Sequence, residues 1–126
     1  MDLTLKSLEI LISLGLTCTA PVFERLPMCP PGATTSEPMC LVTPARYWYH
    51  PAEKINRIQI RNDPDLHPTN ELIRWTHELI HCGFREWRIA HNEQPLRNED
   101  PIEELRVQSM INELRNIGAF NGPYSR

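Results

Sequence analysis

An α+β fold is predicted for this 126-residue chain, on three observations. Residues 69–81 and 101–117 carry apolar side chains at helical spacing between recognisable start and stop signals. Residues 45–61 read as a strand, a turn and a second strand. One modest hydrophobic core is within reach of a chain this long.

The elements follow in order. Near the N-terminus, Leu5, Leu8, Leu11 and Ile12 fall at helical spacing and Gly15 supplies a stop, which predicts an amphipathic helix over 1–16. The same stretch, followed by T-C-T-A, has the outline of a secretory leader ending at Ala20. Asp2 and Glu9 offset Lys6, however, so the positive start of a leader is missing. Residues 17–44 carry proline at 21, 27, 30, 31, 38 and 44 and keep no period, so an irregular proline-rich arm is expected. The division is therefore a helix and arm over 1–44 and a catalytic-type domain over 45–126. In 45–61 (ARYWYHPAEKINRIQIR), an aromatic strand at Tyr47 to His50 precedes a P-A-E-K turn. Ile58 and Ile60 then share one face of a second strand. The next helix is expected over 69–81, capped by Thr69 or Asn70 and stopped by Gly83. The last is expected over 101–117, with Asp100 as N-cap, Pro101 in the first turn, Glu103 closing a capping box and Gly118 as terminator.

Composition narrows the function classes. A net charge of -3 provides no broad basic field for nucleic acid. No apolar run approaches the roughly 20 residues of a membrane span. The four cysteines form no C-x-x-C pair, which points to reduced thiols and a cytoplasmic protein; a Cys29–Cys40 bridge is the alternative for an exported chain. Cys82 reads as a small buried side chain, and Trp75 and Trp87 as packing anchors.

The chemistry concentrates in R-W-T-H-E-L-I-H-C-G-F, residues 74–84. His77 and His81 are four apart, so on a helix their imidazoles stack on one face and converge on one zinc ion. Glu78, one step round, is too far to ligate but is placed to act as general base toward an activated water. On a helical wheel Leu72, Ile73, Thr76, Leu79, Ile80 and Phe84 form the apolar arc. The histidines lie at its border and Glu78 lies further toward solvent.

A third ligand is needed. A metzincin would place glycine and histidine where Phe84 and Trp87 stand, which excludes that class. Capping commits Glu103 to the backbone and leaves Glu104 as the favoured ligand, with Glu103 and the distant His91 as alternatives. Gln108, four residues beyond Glu104, can hydrogen-bond a ligand histidine from behind. His91 and Tyr124 are further candidates for steadying an oxyanion.

H-E-L-I-H followed by I-E-E-L-R-V-Q resembles the gluzincin arrangement of thermolysin-like enzymes. With A-R-Y-W-Y-H-P-A-E-K-I ahead of it, the order over 45–118 is similar to the zincin-like metallopeptidase domain of ArdC-type antirestriction proteins of mobile elements. That resemblance implies a small zincin-like domain in which an antiparallel hairpin packs on the H-E-x-x-H helix and on a second, glutamate-bearing helix. It implies His77, His81 and Glu104 as ligands of Zn²⁺ and Glu78 as base. Gln108 stands where the family usually has an acidic residue. Residues 1–44 offer no counterpart of the family's single-strand-binding domain, so the antirestriction role is not implied.

The expected function is a zinc metallopeptidase acting on a peptide or protein, with the Tyr47–His50 or Ile58–Ile60 strand as cleft edge. Two other classes stay open. One is a zinc-stabilised but inactive interaction module. The other is a single-stranded nucleic-acid accessory protein using Arg46, Lys54, Arg57 and Arg61 with Tyr47, Trp48 and Tyr49.

Overall fold

The computed structural model describes residues 2–95 and 100–122. Its centre is a long helix, α2 (Pro68–Ala90), which buries Leu72, Trp75, Thr76, Glu78, Leu79, Ile80, Cys82 and Gly83. Around it stand α1 (Leu3–Ser13), a sheet of β1 (Val22–Leu26), β2 (Ala45–His50) and β3 (Ile55–Arg61), and α3 (Pro101–Asn116). The class is α+β. Leu72, Trp75, Leu79 and Ile80 of α2 are buried with Leu11 of α1, Ile58 and Ile60 of β3, and Val107 and Ile111 of α3. One core thus draws on both the first 44 residues and the remainder.

The hairpin forms as its pattern predicts. β2 and β3 pair antiparallel with Tyr47 opposite Ile58, and residues 51–54 make the turn. Residues 17–44, expected to be irregular, contain a strand. β1 pairs parallel with β3, Val22 opposite Arg57 through Leu26 opposite Arg61, so the sheet order is β1-β3-β2. Arg57 bridges to Glu24 at 2.9 Å across this pairing. The strand is short and flanked by prolines, and its partner lies thirty-five residues away; no local period announces it.

Helix α1 is capped by the Asp2 carboxylate, which accepts from the Thr4 and Leu5 amides. Its buried face is Ser7, Ile10 and Leu11, whereas Leu5 and Ile12 of the expected stripe are exposed. Gly15 and Gly118, both at positive φ, follow the ends of α1 and α3. Gly83 does not end α2, which runs on to Ala90, and the N-cap is His67, not Thr69 or Asn70: its Nδ1 accepts from the Thr69 amide at 3.0 Å. Gly83 serves close packing instead. A Cβ there would stand 2.9 Å from Leu16 Cβ and 3.4 Å from Leu11 Cδ1.

Gly83→Ala is therefore expected to destabilise the fold although alanine is the better helix former. Overpacking of this kind costs about 1–3 kcal/mol, against about 1 kcal/mol gained in helix propensity. Urea denaturation of the two proteins measures the difference, and an unchanged or raised midpoint would contradict the packing argument.

All four cysteines are paired, which corrects the expectation of reduced thiols. Cys18–Cys82 staples the segment after α1 to the middle of α2, and Cys29–Cys40 closes the proline-rich loop. Cys82 is buried, as expected of a small side chain, but as half of a disulfide. Trp75 is a core anchor, packed edge-on against Phe23. Trp87 is not: it is 47% exposed and stacks on His91. No helix among the described residues is long and apolar enough to cross a membrane.

Candidate metal centre

His77 and His81 project from consecutive turns of α2 with ring centroids 5.2 Å apart. Glu104, in the first turn of α3, reaches both: one carboxylate oxygen lies 2.7 Å from His77 Nε2 and the other 2.9 Å from His81 Nε2. One potential ligand atom from each residue lies within 4.8 Å of the other two, so this group can hold a metal ion. Zinc at roughly 2.0–2.1 Å from each ligand would set tetrahedral ligand separations of about 3.3 Å. The two Glu104 contacts are shorter than that and would have to open by a fraction of an ångström if an ion bound. The imidazoles are largely buried while the Glu104 side chain is 41% exposed. If all three held an ion, a fourth position would be left on the exposed side.

Glu103 has a role the sequence did not disclose. Its carboxylate is buried, with one oxygen 3.1 Å from His81 Nδ1 and the other 4.0 Å from Arg88 Nε. This tertiary contact takes the place of the capping-box contact expected for it; the Asp100 carboxylate alone accepts from the Ile102 and Glu103 amides. A proton on His81 Nδ1, donated to Glu103, leaves the Nε2 lone pair free for a metal. The cue available in the sequence was the doubled glutamate on a helix facing another, with one carboxylate for the ion and one for the histidine behind it. Gln108 also differs from expectation. Its Nε2 donates to Glu104 Oε1 at 3.1 Å, so it steadies the carboxylate rather than a histidine.

Glu78 is buried, not turned to solvent as the helical wheel suggests, because α2 is covered by the sheet on that side. Burial pushes its carboxyl up to about 7, the nearby His81 and the Tyr47 backbone N–H only partly opposing the rise. One oxygen lies 3.8 Å from His77 Nε2. It is beside the cluster. Burial also lowers the His77 imidazole below its ordinary value. For His81 burial acts the same way, but Glu103, Glu78 and Glu104 outweigh it and the net shift is upward. Burial would raise Glu104; the two imidazoles reverse this and its carboxyl falls. The carboxyls of Glu104 and Glu78 are thus shifted in opposite directions.

Other candidates fall away from this cluster. His91 caps the C-terminus of α2, its Nδ1 donating to the Trp87 carbonyl at 2.7 Å, and is not brought to the centre. Tyr124 lies outside the described residues. Cys18, Cys82 and Glu86 also lie together, but the two sulfurs are bonded to each other, so no thiolate is available to a metal. Glu86 is occupied by the Thr19 amide at 2.6 Å and by Asn56 Nδ2 at 3.0 Å.

On the hairpin, Arg57 and Arg61 pair with Glu24 and Asp63, and Arg46 donates to Gln59 and lies over Trp48. The charges that suggested nucleic-acid binding are largely engaged within the sheet and its flanking loop. β3 is paired on both sides, so the Ile58–Ile60 strand has no edge to offer a substrate; among the described residues β2 pairs with β3 alone.

Comparison with protein families, curated proteins and solved structures finds no match to the chain in any of the three.

Proposed function

We propose that the chain is a zinc metallopeptidase of gluzincin type, similar to the metallopeptidase domain of ArdC-type proteins. The observation that carries this is the pairing of two unlike features in one place. A three-residue group is suited to a metal ion, and a buried glutamate, Glu78, stands beside it 3.8 Å from His77 Nε2. His77 and His81 through Nε2, with the Glu104 carboxylate, would hold Zn²⁺, which supplies Lewis acidity toward a carbonyl and toward water. Glu103 fixes the His81 ring and Gln108 fixes Glu104. Glu78 takes a proton from the attacking water and returns it to the leaving amine. An extended peptide or protein substrate would lie along the edge of β2 not paired with β3, beside the Tyr47 backbone N–H that Glu78 holds.

Two disulfides favour an oxidising environment over the cytoplasm suggested by the cysteine spacing.

Incubating the zinc-loaded protein with a mixed peptide library, with and without a chelator, tests the activity. Chelator-sensitive cleavage by the loaded protein is expected. A zinc-loaded, folded protein that cleaves nothing in a diverse library would oppose the enzymatic reading and favour a metal-stabilised interaction module.

A further inference from the structure

Glu78 and Arg85 lie seven residues apart, two turns of α2, and so face the same way. Both meet β2. The Glu78 carboxyl accepts from the Tyr47 backbone N–H, and the Arg85 guanidinium lies over the Tyr49 ring, 3.5 Å from its centroid. Arg85 reaches toward Tyr47 as well: burial pushes the Tyr47 hydroxyl up to about 12, and the nearby guanidinium opposes part of that rise. The two helix positions are about 10 Å apart along the axis, and the two strand positions about 7 Å. Helical side chains lean toward the N-terminus, which brings the guanidinium back over Tyr49. Arg85 thus stands in the seam between α2 and β2, along from Glu78.

Its charge lacks a counterpart. Arg25, Arg57, Arg61, Arg74 and Arg88 each stand within 4.0 Å of a carboxylate. No carboxylate of the described residues comes that close to Arg85, although the residue is half-buried. Glu86, its neighbour in sequence, is turned to Thr19 and Asn56 instead. A guanidinium stacked on a ring is held flat and keeps its N–H donors in its own plane, directed past the rim of the ring. A carboxylate is the acceptor those donors bind best. The seam therefore presents a fixed, uncompensated cation beside the strand edge assigned above to the substrate.

We propose that Arg85 is a specificity-determining residue, which selects peptides carrying a glutamate or aspartate side chain near the bond cleaved. The proposal rests on the metallopeptidase reading for the reaction and on the edge of β2 for the register. Side chains of a strand alternate, so in a peptide laid along β2 the residues facing Tyr47 and Tyr49 point to the same side. The acidic residue would therefore lie two positions from the one beside Glu78, on the side of the peptide that faces the seam.

Peptides blocked at both ends and differing only in glutamate, glutamine or lysine at one position, with that position walked along the chain, test this. Cleavage by zinc-loaded wild type, Arg85→Gln and Arg85→Glu gives kcat/KM, and calorimetric titration of the zinc-free proteins gives affinity. At one position wild type is expected to favour glutamate over glutamine by about 10- to 100-fold, the worth of a hydrogen-bonded charge pair. That ratio should fall to near one in Arg85→Gln and turn in favour of lysine in Arg85→Glu. If the charge-reversed chain fails to fold, the ratio in Arg85→Gln decides alone. An Arg85 that only packs on Tyr49 would weaken all three peptides alike and leave the ratio where it was, which overturns the proposal. So does a wild type without preference at any position, or a preference that survives in Arg85→Gln. A glutamate preference in binding to the zinc-free protein, without cleavage of any peptide by the loaded one, removes the peptidase reading and keeps Arg85 as the selecting residue. Cleavage without the preference does the reverse.

Discussion

Glu78→Gln is expected to reduce peptide hydrolysis by roughly 100- to 10,000-fold, the ordinary contribution of a positioned general base, while zinc remains bound. The amide has nearly the same shape but cannot take the proton. The same substitution has an opposite effect on stability. Burial raises the Glu78 carboxyl from 4.5 to about 7 in the metal-free protein. Between those values the folded chain holds a proton that the unfolded chain has released. Stability is therefore full below about pH 4.5 and falls as pH rises through 7, by about 3 kcal/mol in all. Glutamine has no charge to bury, so metal-free Glu78→Gln should be more stable than wild type above pH 7 and should lose this pH dependence. Thermal denaturation of the two metal-free proteins from pH 5 to 8.5, alongside peptide hydrolysis by the zinc-loaded pair, measures both effects. A variant that keeps its activity would remove Glu78 from the chemistry.

Opening the Cys18–Cys82 disulfide is expected to cost about 4 kcal/mol, because it joins positions 64 residues apart and so restricts the unfolded chain strongly. Cys29–Cys40, spanning 11 residues, is expected to contribute about 3 kcal/mol. Small domains have only about 5–15 kcal/mol in total. The paired replacement Cys18→Ser with Cys82→Ser should lower the melting midpoint by on the order of 10–20 °C. Cys82 adjoins His81, so zinc retention should fall on heating over the same range. An unchanged midpoint in the double variant, or in wild type under strong reductant, would show that the staple contributes nothing.

What the sequence disclosed and what it withheld divide along the range of the interactions involved. His77 and His81 meet because helical spacing puts them on one face, and that is a local property. The hairpin is local too, since Tyr47 to His50 and Ile55 to Arg61 are joined by a four-residue turn. Glu104 required one further step, that a second helix should pack against the first. Glu103 was misassigned because Asp100 and Glu103 satisfy a capping pattern, whereas contacts with His81 and Arg88, far away in sequence, determine where its carboxylate goes. Gly83 looked like a stop until the close approach of Leu16 explained it. β1 and Cys18–Cys82 depend on partners tens of residues away, and four cysteines admit three pairings that spacing alone does not rank. Glu78 faced solvent on a wheel because a wheel carries no information about the sheet laid against it.

The central claim is that His77, His81 and Glu104 hold zinc, and bound zinc in wild type and Glu104→Ala, purified side by side and measured by elemental analysis, tests it most directly. Near-stoichiometric zinc in wild type and a sharp loss in Glu104→Ala is the predicted result. Glu103→Gln, carried as a comparator, should still bind zinc with affinity weakened about 10- to 100-fold, as expected of a residue that orients a ligand. Zinc unchanged in Glu104→Ala, or no zinc in reconstituted wild type, would contradict the account.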